Sequence, residues 1–213
     1  MNEFNVPFTI ISGDGASGQL AEQLTRLGVT RALIVSDEFL VSAGIVDRIT
    51  APLSAAGIEY RVFADVQPEP VDRNVAEGLE VVKDFDAQAV VGLGGGSPMD
   101  VAKVIAIMSA HERPLADFKG YHRFERPGLP TIAIPTTAGT GSEATKVVVI
   151  TDETSHEKMM FLDRNLVPDV ALVDYRLSMS MPPALTAHVG VDTLTHGVEA
   201  YVSRKANALT DPI

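Results

Sequence analysis

The sequence has no cysteine among its 213 residues. Disulfides, thiolate metal centres and cysteine nucleophiles are therefore excluded outright. No run approaches the roughly 18 apolar residues that a membrane-spanning helix needs. Residues 1–8 show no basic stretch leading into an apolar one, so no secretory signal is visible and a cytoplasmic location is expected. Positive charge is scarce: 17 Lys and Arg stand against 28 Asp and Glu, for a formal net charge of -11. Such a surface disfavours nonspecific attraction to nucleic acid or anionic membrane, and neither is expected as a partner. Internal repeats and low-complexity tracts are also missing. What remains is 46% hydrophobic and 21% charged, the balance of an ordinary soluble globular protein. The length suits one α/β domain and the start of a second.

Short strand-like runs alternate with helix-like runs. Residues 32–35, 59–63, 89–93, 131–134, 147–150 and 170–173 read as strands, and residues 9–11 as a short one near the start. Helices are expected over residues 19–27, 38–53, 71–85 and 98–109, the last with Pro98 in its first turn. Continuous apolar strands alternating with amphipathic helices imply a mainly parallel sheet covered on both faces, with an antiparallel α+β sheet as the alternative. A boundary is expected at residues 178–183, where the sequence reads SMSMPP. A long helix over residues 184–203 follows without any strand signal, so residues 1–180 form the first domain and 181–213 begin a helical second one. No clear helix stop precedes Pro212.

Two glycine-rich segments compete for an anion. Gly13-Asp14-Gly15-Ala16-Ser17-Gly18 is a literal G-x-G-x-x-G, and Asp37 follows Gly18 by 19 residues at a strand end, the spacing of a carboxylate that binds a ribose hydroxyl. The same residues also fit a plain turn between strand and helix. Gly94-Gly95-Gly96-Ser97-Pro98-Met99-Asp100 follows the strongest strand. Its glycines permit close backbone approach, and the helix that begins there aims unpaired N–H groups at whatever sits in the loop. Ser97 suits either a ligand or an N-cap, and Asp100 suits the helix dipole in any case. A third segment, residues 135–143, places Thr136, Thr137, Thr140 and Ser142 with two glycines within seven positions. Hydroxyls there bind phosphate or ribose without adding charge; a solvated turn is the alternative.

Asp192 and His196 stand at i and i+4 in the long helix, on one face. Carboxylate plus imidazole suits Fe(II), Zn, Mn or Co. The same pair is also an ordinary surface ion pair, and two ligands do not complete a site. The other histidines show no ligand spacing to this pair; His188 lies one turn before Asp192.

Taken together, GGGSPMDVAK (residues 94–103), PTTAGTGSEAT (135–145) and MPPALTAHVGVDTLTHGVEAYVS (181–203) resemble the iron-containing (group III) alcohol dehydrogenases along the whole chain. The resemblance implies a Rossmann-like α/β domain followed by an all-helical domain, of which this chain holds only the first part. It implies that Gly95, Gly96 and Ser97 hold the NAD pyrophosphate with Asp100 close by. Thr136, Thr137 and Thr140 would line the cofactor and Lys158 would reach it. Asp37 would favour NAD over NADP, because a carboxylate accepts from a 2′-hydroxyl and repels a 2′-phosphate. The early G-x-G-x-x-G then loses its claim on the phosphates. Asp192 and His196 match two metal ligands, with Fe(II) the expected metal and Zn the second choice; the remaining ligands lie beyond residue 213. The implied reaction moves a hydride between NAD(H) and a small alcohol or aldehyde with the metal as Lewis acid. No side chain is an evident proton-transferring base. Assembly as a homodimer or larger fits the family. A dehydroquinate-synthase-like lyase, or a dinucleotide-binding fragment without turnover, is the alternative. Two departures from the family pattern stand out: Glu69 replaces a frequent Asn, and His188 replaces a small residue.

Overall fold

The computed structural model describes residues 4–208; the expected chain end at residues 210–213 lies outside the described residues. The chain order is β1 (Thr9–Ser12), α1 (Leu20–Arg26), β2 (Arg31–Val35), α2 (Glu38–Ser42), α3 (Ile45–Ala55), β3 (Glu59–Phe63), α4 (Asp72–Phe85), β4 (Ala89–Gly94), α5 (Gly96–Met108), β5 (Gly120–Tyr121), β6 (Thr131–Pro135), β7 (Val147–Thr151), β8 (Lys158–Leu162), β9 (Val170–Val173), α6 (Tyr175–Ser178) and α7 (Pro183–Val202). Six strands form one sheet in the order β1-β9-β6-β4-β2-β3. Every pairing within it is parallel. The sheet is the Rossmann-like one expected, and the antiparallel alternative does not describe it.

Pleating explains how the sheet is covered. Along β2, Leu33 and Val35 join one core with α4 and α5, while Ala32 and Ile34 join another with α1 and α3. All four are fully buried. A strand buried on both faces reads as an unbroken apolar run, which is why β2 and β4 were plain in the sequence.

Three local expectations need correction. The single helix expected over residues 38–53 is two, because Gly44 adopts a left-handed conformation at φ 70 and turns the chain between α2 and α3. The helix expected from Pro98 starts at Gly96, two residues earlier; proline is tolerated in a first turn, where its missing N–H has no intrahelical partner to lose. Finally, β7 does not belong to the main sheet. It pairs antiparallel with β8, which the sequence reading did not find, and β5 completes a separate three-stranded sheet. Val148, Ile150, Met159 and Phe161 point from this hairpin into the core that α5 shares. Burial alternates along β7, but five consecutive β-branched residues hide that period.

The early glycine motif forms a turn, residues 13–19, closed from the far end of the chain. The Ser17 hydroxyl donates to Asp174 Oδ2 at 2.7 Å, and Arg176 pairs with Asp14 at 2.5 Å. A buried carboxylate already occupies the place an anion would need. Burial pushes the Asp174 carboxyl up, but hydrogen bonds from Ser17 and from the Arg176 N–H outweigh it and hold the group below its ordinary value of 3.8. Its stabilising contribution is therefore present above the ordinary carboxylate range and is lost as pH falls through the depressed value. Asp174→Asn should flatten that part of the acid limb in urea melts recorded from about pH 5 downward; an unchanged limb would contradict the assignment.

Candidate functional site

The topology decides where a ligand fits. From β2 the chain crosses to β3 on one side, and from β4 it crosses to β6 on the other. Connections diverging from adjacent parallel strands leave a crevice outside their carboxyl ends. A cavity of about 710 Å³ lies there. Its walls are Asp37, Glu38, Phe39 and Leu40 after β2, the 64–68 segment after β3, Gly95 to Pro98 after β4, and Thr136, Thr137 and Thr140 after β6. Leu177, Leu185 and Val189 close it with an apolar side from α6 and α7.

The charge pattern of these walls is informative. Asp37, Glu38 and Asp65 line the cavity, and no Lys, Arg or His does. An anion bound here must be held by backbone N–H groups and hydroxyls. The start of α5 offers them: Gly95 caps the helix in an extended conformation and no side chain closes the first turn. A Cβ added to Gly95 would lie 3.4 Å from Thr137 Cγ2, and one added to Gly96 would lie 3.3 Å from Thr140 Cγ2. The bare backbone thus leaves a cradle that any side chain would fill. Thr137 Oγ1 is buried there without a hydrogen-bond partner, a donor awaiting an acceptor. These features fit a dinucleotide pyrophosphate.

The sequence candidates divide accordingly. Asp37, Gly95, Gly96, Ser97, Thr136, Thr137 and Thr140 come together around the cavity. Asp37 caps α2, its Oδ1 accepting from the Leu40 N–H at 2.8 Å. Ser97 is not a cap: it lies inside α5 and its hydroxyl donates to the Pro68 carbonyl at 2.6 Å, tying α5 to the 64–68 wall. Asp100 is not part of the lining. Its carboxylate accepts from Ser142 Oγ at 2.5 Å and from the Val149 N–H at 3.0 Å, and so faces the β7 side of α5. Lys158 stands outside the lining as well, exposed at the start of β8, with Nζ 3.8 Å from Glu69 Oε1.

Asp192 and His196 share a face of α7, with Oδ1 and Nε2 3.8 Å apart and both side chains about half exposed. They supply two donors suited to a divalent cation. Among the described residues no three His, Asp or Glu are grouped so that they could hold a metal ion, so the pair is half a coordination set. His188 is exposed one turn away.

Sequence reasoning missed Lys103, buried in α5, and Gly139, where the 136–142 loop meets α7. A lysine inside the apolar run 101–108 was the available signal for the first. For the second there was none, because the contact is with a helix 50 residues on. The Gly139 backbone has φ 153, and an added Cβ would lie 2.3 Å from Val189 Cγ1 and 2.7 Å from the Val189 carbonyl oxygen.

The fold and its carboxyl-end crevice define a Rossmann-like α/β protein. The chain belongs to the iron-containing alcohol dehydrogenase family, whose sequence signature matches residues 7–175. It is 39% identical over 211 residues to the NAD-dependent methanol dehydrogenase of Bacillus methanolicus, covering 99% of this chain and 55% of that protein. It is 41% identical over 203 residues to the lactaldehyde reductase of Escherichia coli K12, covering 94% and 53%. The crystal structure of a 1,3-propanediol oxidoreductase superposes with a TM-score of 0.96 at 39% identity, covering all of this chain and 56% of that one. The chain thus spans about half the length of the curated relatives it matches.

Gly139→Ala should destabilise the fold by about 1–3 kcal/mol in urea denaturation, because backbone and Val189 must both shift. Gly190→Ala, with nothing within 4 Å, should be neutral or stabilising by up to about 1 kcal/mol. Equal effects at the two positions would refute the close docking of the loop on α7.

Proposed function

We propose that this chain is the nucleotide-binding part of an oxidoreductase that moves a hydride between NAD(H) and a small alcohol or aldehyde. The observation that carries the reading is the uncapped start of α5 facing the unpartnered Thr137 hydroxyl in a cavity without cations. When bound, NAD supplies the hydride acceptor, and a divalent metal supplies a Lewis acid for the alcohol oxygen. The chain's own residues do the positioning. The N–H groups of Gly96 and Ser97 and the hydroxyls of Thr136, Thr137 and Thr140 hold the pyrophosphate. Asp37 accepts from the adenosine ribose, and Leu177, Leu185 and Val189 shield the cavity from water. Asp100 acts at one remove, by anchoring the loop that carries the threonines. Lys158, released from Glu69, would reach the cofactor from the rim.

Asp192 and His196 would hold the metal, iron by the family's description and zinc as the second choice. Further ligands must come from outside the described residues, as must most of the substrate pocket. We therefore read residues 181–213 as the opening of a helical domain, and do not expect turnover from these 213 residues alone. Assembly as a homodimer or larger, in the cytoplasm, completes the reading; Phe8, just before the edge strand β1, and Ile10 within it are exposed. The relatives described above are alcohol and aldehyde oxidoreductases, which favours hydride transfer over the lyase alternative.

Calorimetry should show tighter binding of NAD than of NADP, with Asp37→Ser narrowing the preference at least tenfold; tighter NADP binding by the unaltered chain would contradict the assignment. A polypeptide that carries this chain and the downstream half present in its relatives should oxidise small alcohols only after metal is restored. Asp192→Ala or His196→Ala should abolish that turnover while the protein still binds NADH. No metal-dependent turnover across a broad alcohol panel would sink the proposal.

A further inference from the structure

Lys103 is the one cation among the buried side chains of the described residues, 2% exposed in a helix otherwise apolar at that level. Each of its three ammonium protons has an acceptor: the Ser142 carbonyl at 2.9 Å, Ser142 Oγ at 3.1 Å and the Val147 carbonyl at 3.0 Å. Asp100 Oδ1 lies 3.6 Å away and accepts from the same Ser142 hydroxyl. Asp100 Oδ2 then takes the Val149 N–H. The segment that leaves the threonine loop is thus fastened to α5 at residues 142, 147 and 149. The start of the loop is fastened too, by the Thr136 N–H donating to the Gly94 carbonyl at 2.9 Å. Only residues 137–141 span the gap.

As a stability device this arrangement is poor, since a buried charge network is often no better than apolar packing of the same volume. As a ruler it is effective. The helix whose first turn forms one wall of the cradle also carries, two turns on, the ammonium that sets the height of the opposite wall. Thr137 and Thr140 consequently stand across from Gly95 and Gly96, over a gap that an added Cβ would close.

We propose that Lys103 is a positioning residue for the dinucleotide: it clamps the exit of the 136–142 loop to α5 and so holds the Thr137 and Thr140 hydroxyls at the distance a pyrophosphate requires. It touches no ligand itself, being absent from the cavity lining. The inference rests on the reading of that cavity as the NAD site. Burial pulls the Lys103 ammonium below its ordinary value while Asp100 and Glu143 oppose the shift. The clamp works as a donor set, which a neutral isostere does not replace.

The absence of cysteine permits a chemical test. Lys103→Cys introduces a single thiol, and alkylation with 2-bromoethylamine in denaturant followed by refolding rebuilds an amine of nearly lysine length. NADH affinity, by fluorescence, and amide hydrogen exchange are compared for the unaltered chain, Lys103→Met, Lys103→Cys and the aminoethylated protein. The expected result is NADH binding weakened at least tenfold in the folded Met and Cys variants. Exchange should be faster in residues 136–149 but not across β2 and β4, and aminoethylation should restore both properties. Unchanged affinity, or faster exchange spread over the whole sheet without rescue, would overturn the proposal. If the Lys103 variants do not fold, Ser142→Ala decides. It keeps the ammonium but deletes the hydroxyl shared with Asp100, and should weaken NADH about threefold or more with the same local exchange; no change in either refutes the clamp. Failure of the unaltered chain to bind NADH would reject the cavity assignment, and a normal exchange pattern in the variants would reject the clamp separately.

Discussion

All six strands of the main sheet run the same way, so every carboxyl end delivers its loop to one rim. The site depends on that constraint more than on any single contact. Parallel strands force the connections to the faces, the faces must then be covered by helices, and the helices that leave the rim start there. α5 starts immediately after β4, the strand at the switch point, with only Gly95 between them. Its unpaired N–H groups, the hydroxyls after β6 and the carboxylate after β2 converge because their strands are neighbours in the order β6-β4-β2. Residues 37, 97 and 137 are remote in sequence, and the sheet alone makes them adjacent.

On the proposed reading an acidic rim receives an anion, and the physics separates the two ends of the crevice. The helix start attracts negative charge through N–H groups that carry no formal charge and do not themselves titrate. The carboxylates of Asp37, Glu38 and Asp65 gather at the β2 and β3 side, where hydroxyls need acceptors. A second phosphate at that end would meet repulsion without a compensating cation. On the NAD reading, cofactor preference would be a property of the cavity wall as a whole, to which Asp37, Glu38 and Asp65 all contribute charge.

What the sequence disclosed followed from locality. β4 with its glycines was legible because a doubly buried strand is continuously apolar and the turn after it is local. The antiparallel hairpin was not, since the Val147 to Ile150 run looks the same whether one face or both are buried, and Lys158 at the start of β8 reads as surface. The residues at Gly13 to Gly18 have the local form of a phosphate loop; what disqualifies them is Asp174, 157 residues away from Ser17. Asp100 shows the same limit. A carboxylate in a first helical turn suits the dipole, a ligand or a structural anchor equally, and only the partners Ser142 and Val149 distinguish the three.

The contact at Gly139 carries a thermodynamic corollary. The loop that bears Thr137 and Thr140 touches, through bare backbone, the turn of α7 that holds Val189 and Thr193, beside Asp192. With no side chain between them to absorb a shift, displacement of the loop displaces the helix. On the proposed reading, dinucleotide and metal would be linked ligands, and the linkage would be reciprocal: whatever free energy one contributes to the affinity of the other is returned in equal measure. Order of addition would leave the final state unchanged, and the coupling would have one sign and one size whichever ligand came first.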